Sequence, residues 1–428
     1  MNNYTVKEVL QFVGENDVKF IRLAFCDTHG IMKNIAIMAD ELPKAFENGV
    51  AIDTTLINGF ESANGLDLYL YPDPATLSVL PWRPKQGRVV RFFCYVKDVN
   101  KKPVSYDTRS ILAKAAQRAK DMDFACLVGS SCSFYLFELD ELGNITKKPL
   151  DNAGYLDIAP PDKGENIRRE ICLTLEEMNV IPKHSYHGMG PGQNVIDFKK
   201  SDILTCADNL STYKTVVKSV AARNGLYASL MPVPGEGLSG NKMSLCISLF
   251  RHGVNLMQHD GSGQYTKEAQ QFAAGILSRI YELSAFSNPA VNSYKRFNGT
   301  HTLAEISWSS KSRMNSIRMT GENETHAYIE LNTPDIICNP YITLALFINA
   351  GLDGIENAET LPAENFCKAV MPKNLGEAIE AAQKSEFIKR HIPDNCFDAY
   401  CRDRLNHWEE YCNTDDRKEF ENKYFKLM

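Results

Sequence analysis

Apolar residues recur at helical spacing over 5–13, where Val6, Val9, Leu10 and Val13 share one face. Two runs rich in β-branched and aromatic residues follow, over 18–26 and 31–38. With Asp27-Thr28-His29-Gly30 between them they predict a β-hairpin closed by a four-residue turn. The stretch 68–80 carries Pro72 and Pro74 ahead of a strand-like end, so it predicts a loop passing into an edge strand. Val, Phe and Tyr over 88–99 predict another strand. The first hundred residues therefore form a small α+β unit. Lys101-Lys102-Pro103 interrupts the pattern, and a helix is predicted from Thr108 to about residue 122. Beyond it, strands over 126–139 and 243–249 alternate with amphipathic helices over 164–178, 202–224, 265–284 and 340–350. From Leu375 the pattern is mostly helical with a charged surface, typical of a peripheral subdomain. No internal repeat or low-complexity segment interrupts it.

At 428 residues the chain exceeds one small core, and its 44% hydrophobic and 23% charged residues are ordinary for a globular protein. A net charge of -6 gives no electrostatic reason for a nucleic-acid partner. The 12 cysteines are scattered without a CxxC pair, which reads as reduced thiols rather than a disulfide framework or zinc site. No apolar stretch approaches the roughly 20 residues needed to span a bilayer, and the N-terminus has no apolar segment of signal-peptide type. The expectation is a cytoplasmic protein without a membrane partner.

Several segments taken in order are similar to the glutamine synthetase family, the ATP-dependent glutamate–ammonia ligases. Phe20 to Asp27 with Gly30 and Lys33 resembles the family's opening hairpin. Tyr71-Pro72-Asp73-Pro74-Ala75-Thr76 and Leu80-Pro81-Trp82 resemble its "PDxxT…PW" segment. Asn292-Ser293-Tyr294-Lys295-Arg296 matches "NSYKR", and Asn339-Pro340-Tyr341 with Ala350 to Ile355 matches "NPY…AGLDGI". The resemblance covers essentially the whole chain. It implies an α+β fold: a β-grasp-like domain over 1–103, then a larger domain over 104–428 built on a curved antiparallel sheet, with 375–428 as a helical peripheral tail. It also implies a homo-oligomer, a hexameric ring or a dodecamer, with active sites shared between neighbours.

The family's phosphoryl transfer requires divalent cations, which favour hard oxygen ligands. The family strand "GxExEFxLF" reads here Gly129-Ser130-Ser131-Cys132-Ser133-Phe134-Tyr135-Leu136-Phe137, so Ser131 and Ser133 stand where two glutamates belong. "HHE…PGQxE" reads Tyr186-His187-Gly188 and Pro191-Gly192-Gln193-Asn194-Val195, placing Gly188 and Val195 at two more. "GSGMHxH" reads Gly240-Asn241-Lys242-Met243-Ser244-Leu245-Cys246, with Ser244 at the histidine ligand. "RxExR" reads Tyr328-Ile329-Glu330-Leu331-Asn332, keeping only Glu330. His301 falls at or near the flap glutamate. Neutral hydroxyls, a glycine and a valine are poor or absent ligands for a hard dication.

What the resemblance leaves is mainly positive. Arg313 and Arg318 resemble phosphate-facing arginines, Arg296 the arginine beside the substrate, and Asp53 the aspartate that a neighbouring subunit supplies for ammonium. Arg313 and Arg318 read equally as subunit contacts. Ser131 and Ser133 read as filling of a vacated strand face, Cys132 as a core thiol on the opposite face, and Cys246 as structural. His184 and His187 have spacing that suits a metal pair on a helix, but Ile181-Pro182 and Gly188 favour strand or loop. Gly235-Glu236-Gly237 and Gly261-Ser262-Gly263 read as turns.

Three functional readings result. The leading one is a catalytically degenerate relative that keeps the oligomeric scaffold, binds an anion or nucleotide, or co-assembles with an active paralogue. The second is an active ligase with a rebuilt site, which would need ATP and Mg2+ or Mn2+. The third is a different, metal-independent enzyme reusing the cleft.

Overall fold

The computed structural model describes residues 4–57, 59–60, 67–83, 86–260, 262–297, 303–323 and 326–427. The chain opens with helix Val6–Glu15, closed by a capping box in which Thr5 Oγ1 accepts from the Glu8 amide and the Glu8 carboxylate accepts from the Thr5 amide. Six strands follow: β1 (Val18–Cys26), β2 (Met32–Met38), β3 (Val50–Ile52), β4 (Leu68–Pro72), β5 (Ser78–Val79) and β6 (Arg88–Lys97). They form one sheet of order β2-β1-β6-β4-β3, with β5 pairing β6 and the central β1 and β6 parallel. The hairpin expected over 18–38 is present. The edge strand expected at the end of 68–80 is present as β5, which pairs β6 alone, but 68–72 is not the loop the prolines suggested, because it forms β4 inside the sheet between β6 and β3. Pro72 is tolerated as its last residue, where the ladder ends.

The hairpin turn docks the two domains. Gly30 has φ +78°, and a Cβ there would sit 2.7 Å from the Asn339 Cα. The Asn339 side chain donates to the Asp27 and Thr28 carbonyls and also caps helix Pro340–Glu356.

The larger domain holds β7 (Ala125–Leu139), β8 (Ile145–Pro149), β9 (Pro182–His187), β10 (Gln193–Phe198), β11 (Ser201–Asp202), β12 (Leu226–Ser229), β13 (Met243–Arg251), β14 (Val254–Asn255), β15 (Glu305–Ile306), β16 (Trp308–Ser309), β17 (Ile317–Thr320), β18 (Tyr328–Leu331) and β19 (Ala369–Val370). Apart from the β15–β19 ribbon they form an 11-stranded sheet whose main path is β16-β17-β18-β13-β7-β10-β9. All the pairings on that path are antiparallel except β16–β17. The α+β expectation is borne out.

Helices Thr108–Asp121, Glu165–Glu177, Ile203–Arg223, Lys267–Ser287 and Pro340–Glu356 occupy the helical stretches expected. The last runs beyond the expected end at 350 because Gly351 and Gly354 are packing sites, not stops. A Cβ at Gly354 would lie 2.2 Å from the Gln271 carbonyl oxygen and one at Gly275 2.2 Å from that of Ala350, so the crossing of the two long helices requires glycine. The tail forms helices Leu375–Lys384, Glu386–His391, Asp394–Asn413 and Arg417–Leu427. Phe420, Tyr424 and Phe425 of the last pack in one cluster with Tyr135 and Phe137 of β7.

Candidate functional site

Antiparallel pairing places directly opposed residues on one face of a sheet, and alternate residues of a strand return to it. Ser131 of β7 opposes Ser244 of β13 and Asp197 of β10, and Ser133 opposes Val195. Cys246 opposes Glu330 of β18, which opposes Arg318 of β17. Tyr186 of β9 opposes Val195. The strand register thus gathers Ser131, Ser133, Val195, Ser244, Glu330 and Arg318, quoted from separate motifs, onto one sheet face, with Gly188 just beyond the end of β9. Cys132, fully buried, faces the other way as expected.

Each hydroxyl on this face is used inside the protein. Ser133 Oγ accepts from the Lys242 amide at 2.8 Å and donates to the Lys242 carbonyl at 3.2 Å, stapling β7 to the start of β13. Ser244 Oγ donates to Asn332 Oδ1 at 3.0 Å. Ser131 is hydrogen-bonded to the Tyr186 hydroxyl, whose own proton burial holds up to about 12. At Gly188 the space is already taken, since a Cβ there would lie 2.7 Å from Gln193 Cγ. Gln193 is fixed by the Met189 and Gly190 amides and by the Gly240 carbonyl.

The Glu330 carboxylate is also spoken for. Glu330 Oε2 accepts from Arg318 Nε at 2.6 Å, and side-chain exposures of 8% and 12% make this a largely desolvated ion pair. Burial works against the Arg318 charge, but Glu330 outweighs it and holds the guanidinium above its ordinary value. Arg318 therefore does not project a free guanidinium. Arg296 is sequestered too, donating to Asn288 Oδ1 and to the Thr333 and Pro334 carbonyls. Arg313 is exposed, and its positive field reaches Tyr186, Tyr328 and Lys242. Asp53 is exposed on the N-terminal sheet side, where its carboxylate accepts from the Thr55 amide and hydroxyl, and the chain does not bring it to this face. His301 lies outside the described residues.

Two lysines that the motifs did not flag complete the cleft. Lys242 stands where the "GSGMHxH" strand has its second glycine. Burial pushes its ammonium down; Glu330 opposes this, and repulsion from Arg296 and Arg313 adds to it. Lys200 runs along Gly129, donates to Ser248 Oγ at 2.7 Å and lies over the Tyr328 ring at 4.9 Å. The glycine-to-lysine change at 242 was a readable signal; Lys200 lies outside every motif. Cys246 has its thiol pushed up to about 12 by burial and by Glu330, which suits an inert structural thiol.

A hard divalent cation takes about six oxygen ligands, preferentially anionic ones. The donors here are internally bonded hydroxyls, the Glu330 carboxylate closed by a guanidinium, and the Asp197 carboxylate, which has one oxygen 3.3 Å from His184 Nδ1 and the other buried without a partner. Two carboxylates, one of them already paired, fall short of the oxygen ligands that a pair of such cations takes, so the pair does not fit this face. Among the described residues, the one trio of Asp, Glu, His or Cys side chains with ligand atoms within 4.8 Å of one another is Asp151, Asp162 and His187. That trio is closed as well. Arg168 reaches both Asp162 oxygens, at 3.0 and 2.6 Å, while Asp151 accepts from three backbone amides and from His187 Nε2. His184 opposes Asp197 and does not join His187, because three residues along a strand point to opposite faces.

Family models for the glutamine synthetase β-grasp domain and catalytic domain match residues 17–99 and 105–423. The chain belongs to the glutamine synthetase family. Among curated relatives it is 40% identical to "Glutamine synthetase" of Clostridium saccharobutylicum over 96% of both chains. It is 39% identical to that of Methanosarcina mazei, again over 96% of both. Among solved structures, "GmaS/ADP complex-Conformation 1" superposes with a TM-score of 0.87 at 25% identity, covering 96% of this chain and 98% of that one.

Proposed function

We propose that this chain is a catalytically degenerate glutamine synthetase-like protein, using the family scaffold as a homo-oligomeric assembly whose cleft holds an anion without metal. The observation that carries this reading is the Arg318–Glu330 ion pair, which places a guanidinium against the last family carboxylate. Lys242 and Arg313 add positive charge where cation-binding side chains would otherwise converge. Such a cleft attracts a phosphate or carboxylate group through charge-assisted hydrogen bonds. Regulation of, or assembly with, an active paralogue is a role such a scaffold could serve.

A second reading, an active ligase with a rebuilt site, is favoured by one observation: relatives about as similar as 40% identity over nearly full length are named glutamine synthetase. Phosphate release from ATP with glutamate and ammonium separates the two, assayed with Mg2+ and with Mn2+. Release no faster than in the absence of glutamate supports degeneracy. A glutamate-dependent rate about tenfold above that background, equivalent to about 1.4 kcal/mol of barrier, would move the assignment to the ligase.

A further inference from the structure

A cavity of ≈370 Å³ lies between the domains; Ser131, Ser133, Glu330 and Arg318 do not line it, and it shares only Lys200 with their cleft. Residues 75–78 and β6 form one side, and 178–181 with 199–212 form the other. Arg91 lines it while being only 7% exposed. Its Nε is buried without a hydrogen-bond partner, and its guanidinium lies 4.3 Å over the Phe93 ring. The acid with the strongest pull on it, Asp208, has both carboxylate oxygens committed to Arg109, and one also to the Tyr341 hydroxyl. Arg22 sits opposite Arg91 across β1 and β6 and Ser78 opposite it across β5 and β6, so neither strand neighbour supplies a carboxylate.

A buried cation without a counter-charge is costly, and proteins that tolerate one commonly meet it with an anion. Burial here pushes the Arg91 guanidinium down to about 10. A second polar atom on the cavity wall, Ser201 Oγ, is also buried without a partner. Leu77, Phe93, Met178 and Val180 supply an apolar part of the wall, while Lys199 and Lys200 add positive charge and Asp208, already paired with Arg109, the one carboxylate. The volume falls in the range of small-molecule sites.

We propose that this interdomain cavity binds a small organic oxyanion, its carboxylate or phosphate held by Arg91 and Ser201 and its apolar body against Phe93 and Leu77. Because the walls come from both domains, such a ligand strengthens their docking by mass action. Calorimetric titration of the full chain with phenyl phosphate, and separately with benzoate, tests the site and distinguishes a dianion from a monoanion. Saturable binding of at least one probe is expected, about tenfold or more weaker in Arg91→Gln and lost in Ser201→Phe, which fills the cavity without removing charge. Lys148→Ala, which removes an exposed charge outside both sites, is expected to leave it unchanged. If Arg91→Gln does not fold, Ser201→Phe decides. The proposal is overturned if neither probe saturates by about 10 mM, if folded Ser201→Phe binds as wild type, or if Lys148→Ala abolishes binding.

Discussion

On one face of β7, Cys132, Phe134 and Leu136 are completely buried in the main core, with Phe134 edge-on to Tyr213 of helix Ile203–Arg223 and the Tyr213 hydroxyl bonded to the Cys132 carbonyl. On the other face, one residue out of phase, Ser131 and Ser133 bind a tyrosine and a neighbouring backbone. The first face is constrained by volume, since a close-packed interior registers even one methylene. The second, at 131 and 133, is constrained by whatever it binds, while farther along the same face Tyr135 and Phe137 are buried against the last helix. A change of ligand chemistry can therefore rewrite the second face while leaving the first, and with it the fold, intact. The family pattern survives here at Phe134 to Phe137 and is lost at 131 and 133.

Substitutions at the two faces should give effects of different size and kind. The largest is expected from Phe134→Ala, which empties a fully buried site and should cost about 3–5 kcal/mol in urea unfolding. Glu330→Gln comes next, at about 3 kcal/mol, because it strands the largely buried Arg318. Were Glu330 instead a spare ligand awaiting metal, its replacement would barely alter the melting temperature of the metal-free protein. Gly188→Glu, which supplies the residue implied there by the family resemblance, should destabilise by about 1–3 kcal/mol through collision with Gln193 and should not create metal affinity. Ser133→Ala removes the staple to Lys242 and is expected to cost about 1 kcal/mol.

The smallest effect has the opposite sign. Lys242→Met, which removes a charge that burial disfavours, should stabilise by up to about 1 kcal/mol and weaken phosphate binding in the cleft. Lys242 binds its proton more weakly folded than unfolded, so its penalty is full below the lowered folded value. The penalty fades as pH rises through the lowered folded value toward the ordinary 10.5, and wild-type and variant stabilities should converge on the alkaline side in melts taken across that range.

Much of the fold was legible because its signals are local. The 3.6-residue periodicity of helix Ile203–Arg223 and the β-branched run of β6 each specify their element without reference to the rest. The misplacement of β4 arose because two prolines mark an edge or a loop by local rules, while the tertiary position let Pro72 end an internal strand. Likewise Gly351 reads as a helix stop until the facing helix is known to require it. The positions of the cleft residues were legible from motif spacing, but their partners were not. Arg318 and Glu330 lie twelve residues apart, and only the β17–β18 register makes them a pair. Lys200 and Arg91 lie outside every quoted motif, although Ala75 and Thr76 of one of them line the interdomain cavity; that Arg91 is buried without a partner is a property of packing alone.

Titration of the purified chain with Mn2+ in the presence of ATP, followed by electron paramagnetic resonance, reads the cleft most directly. The expected spectrum retains free and nucleotide-bound Mn2+ with no protein-bound signal beyond what ATP alone gives, in wild type and Glu330→Gln alike. Two protein-bound Mn2+ per chain, lost in Glu330→Gln, would contradict the claim that a guanidinium closes this site.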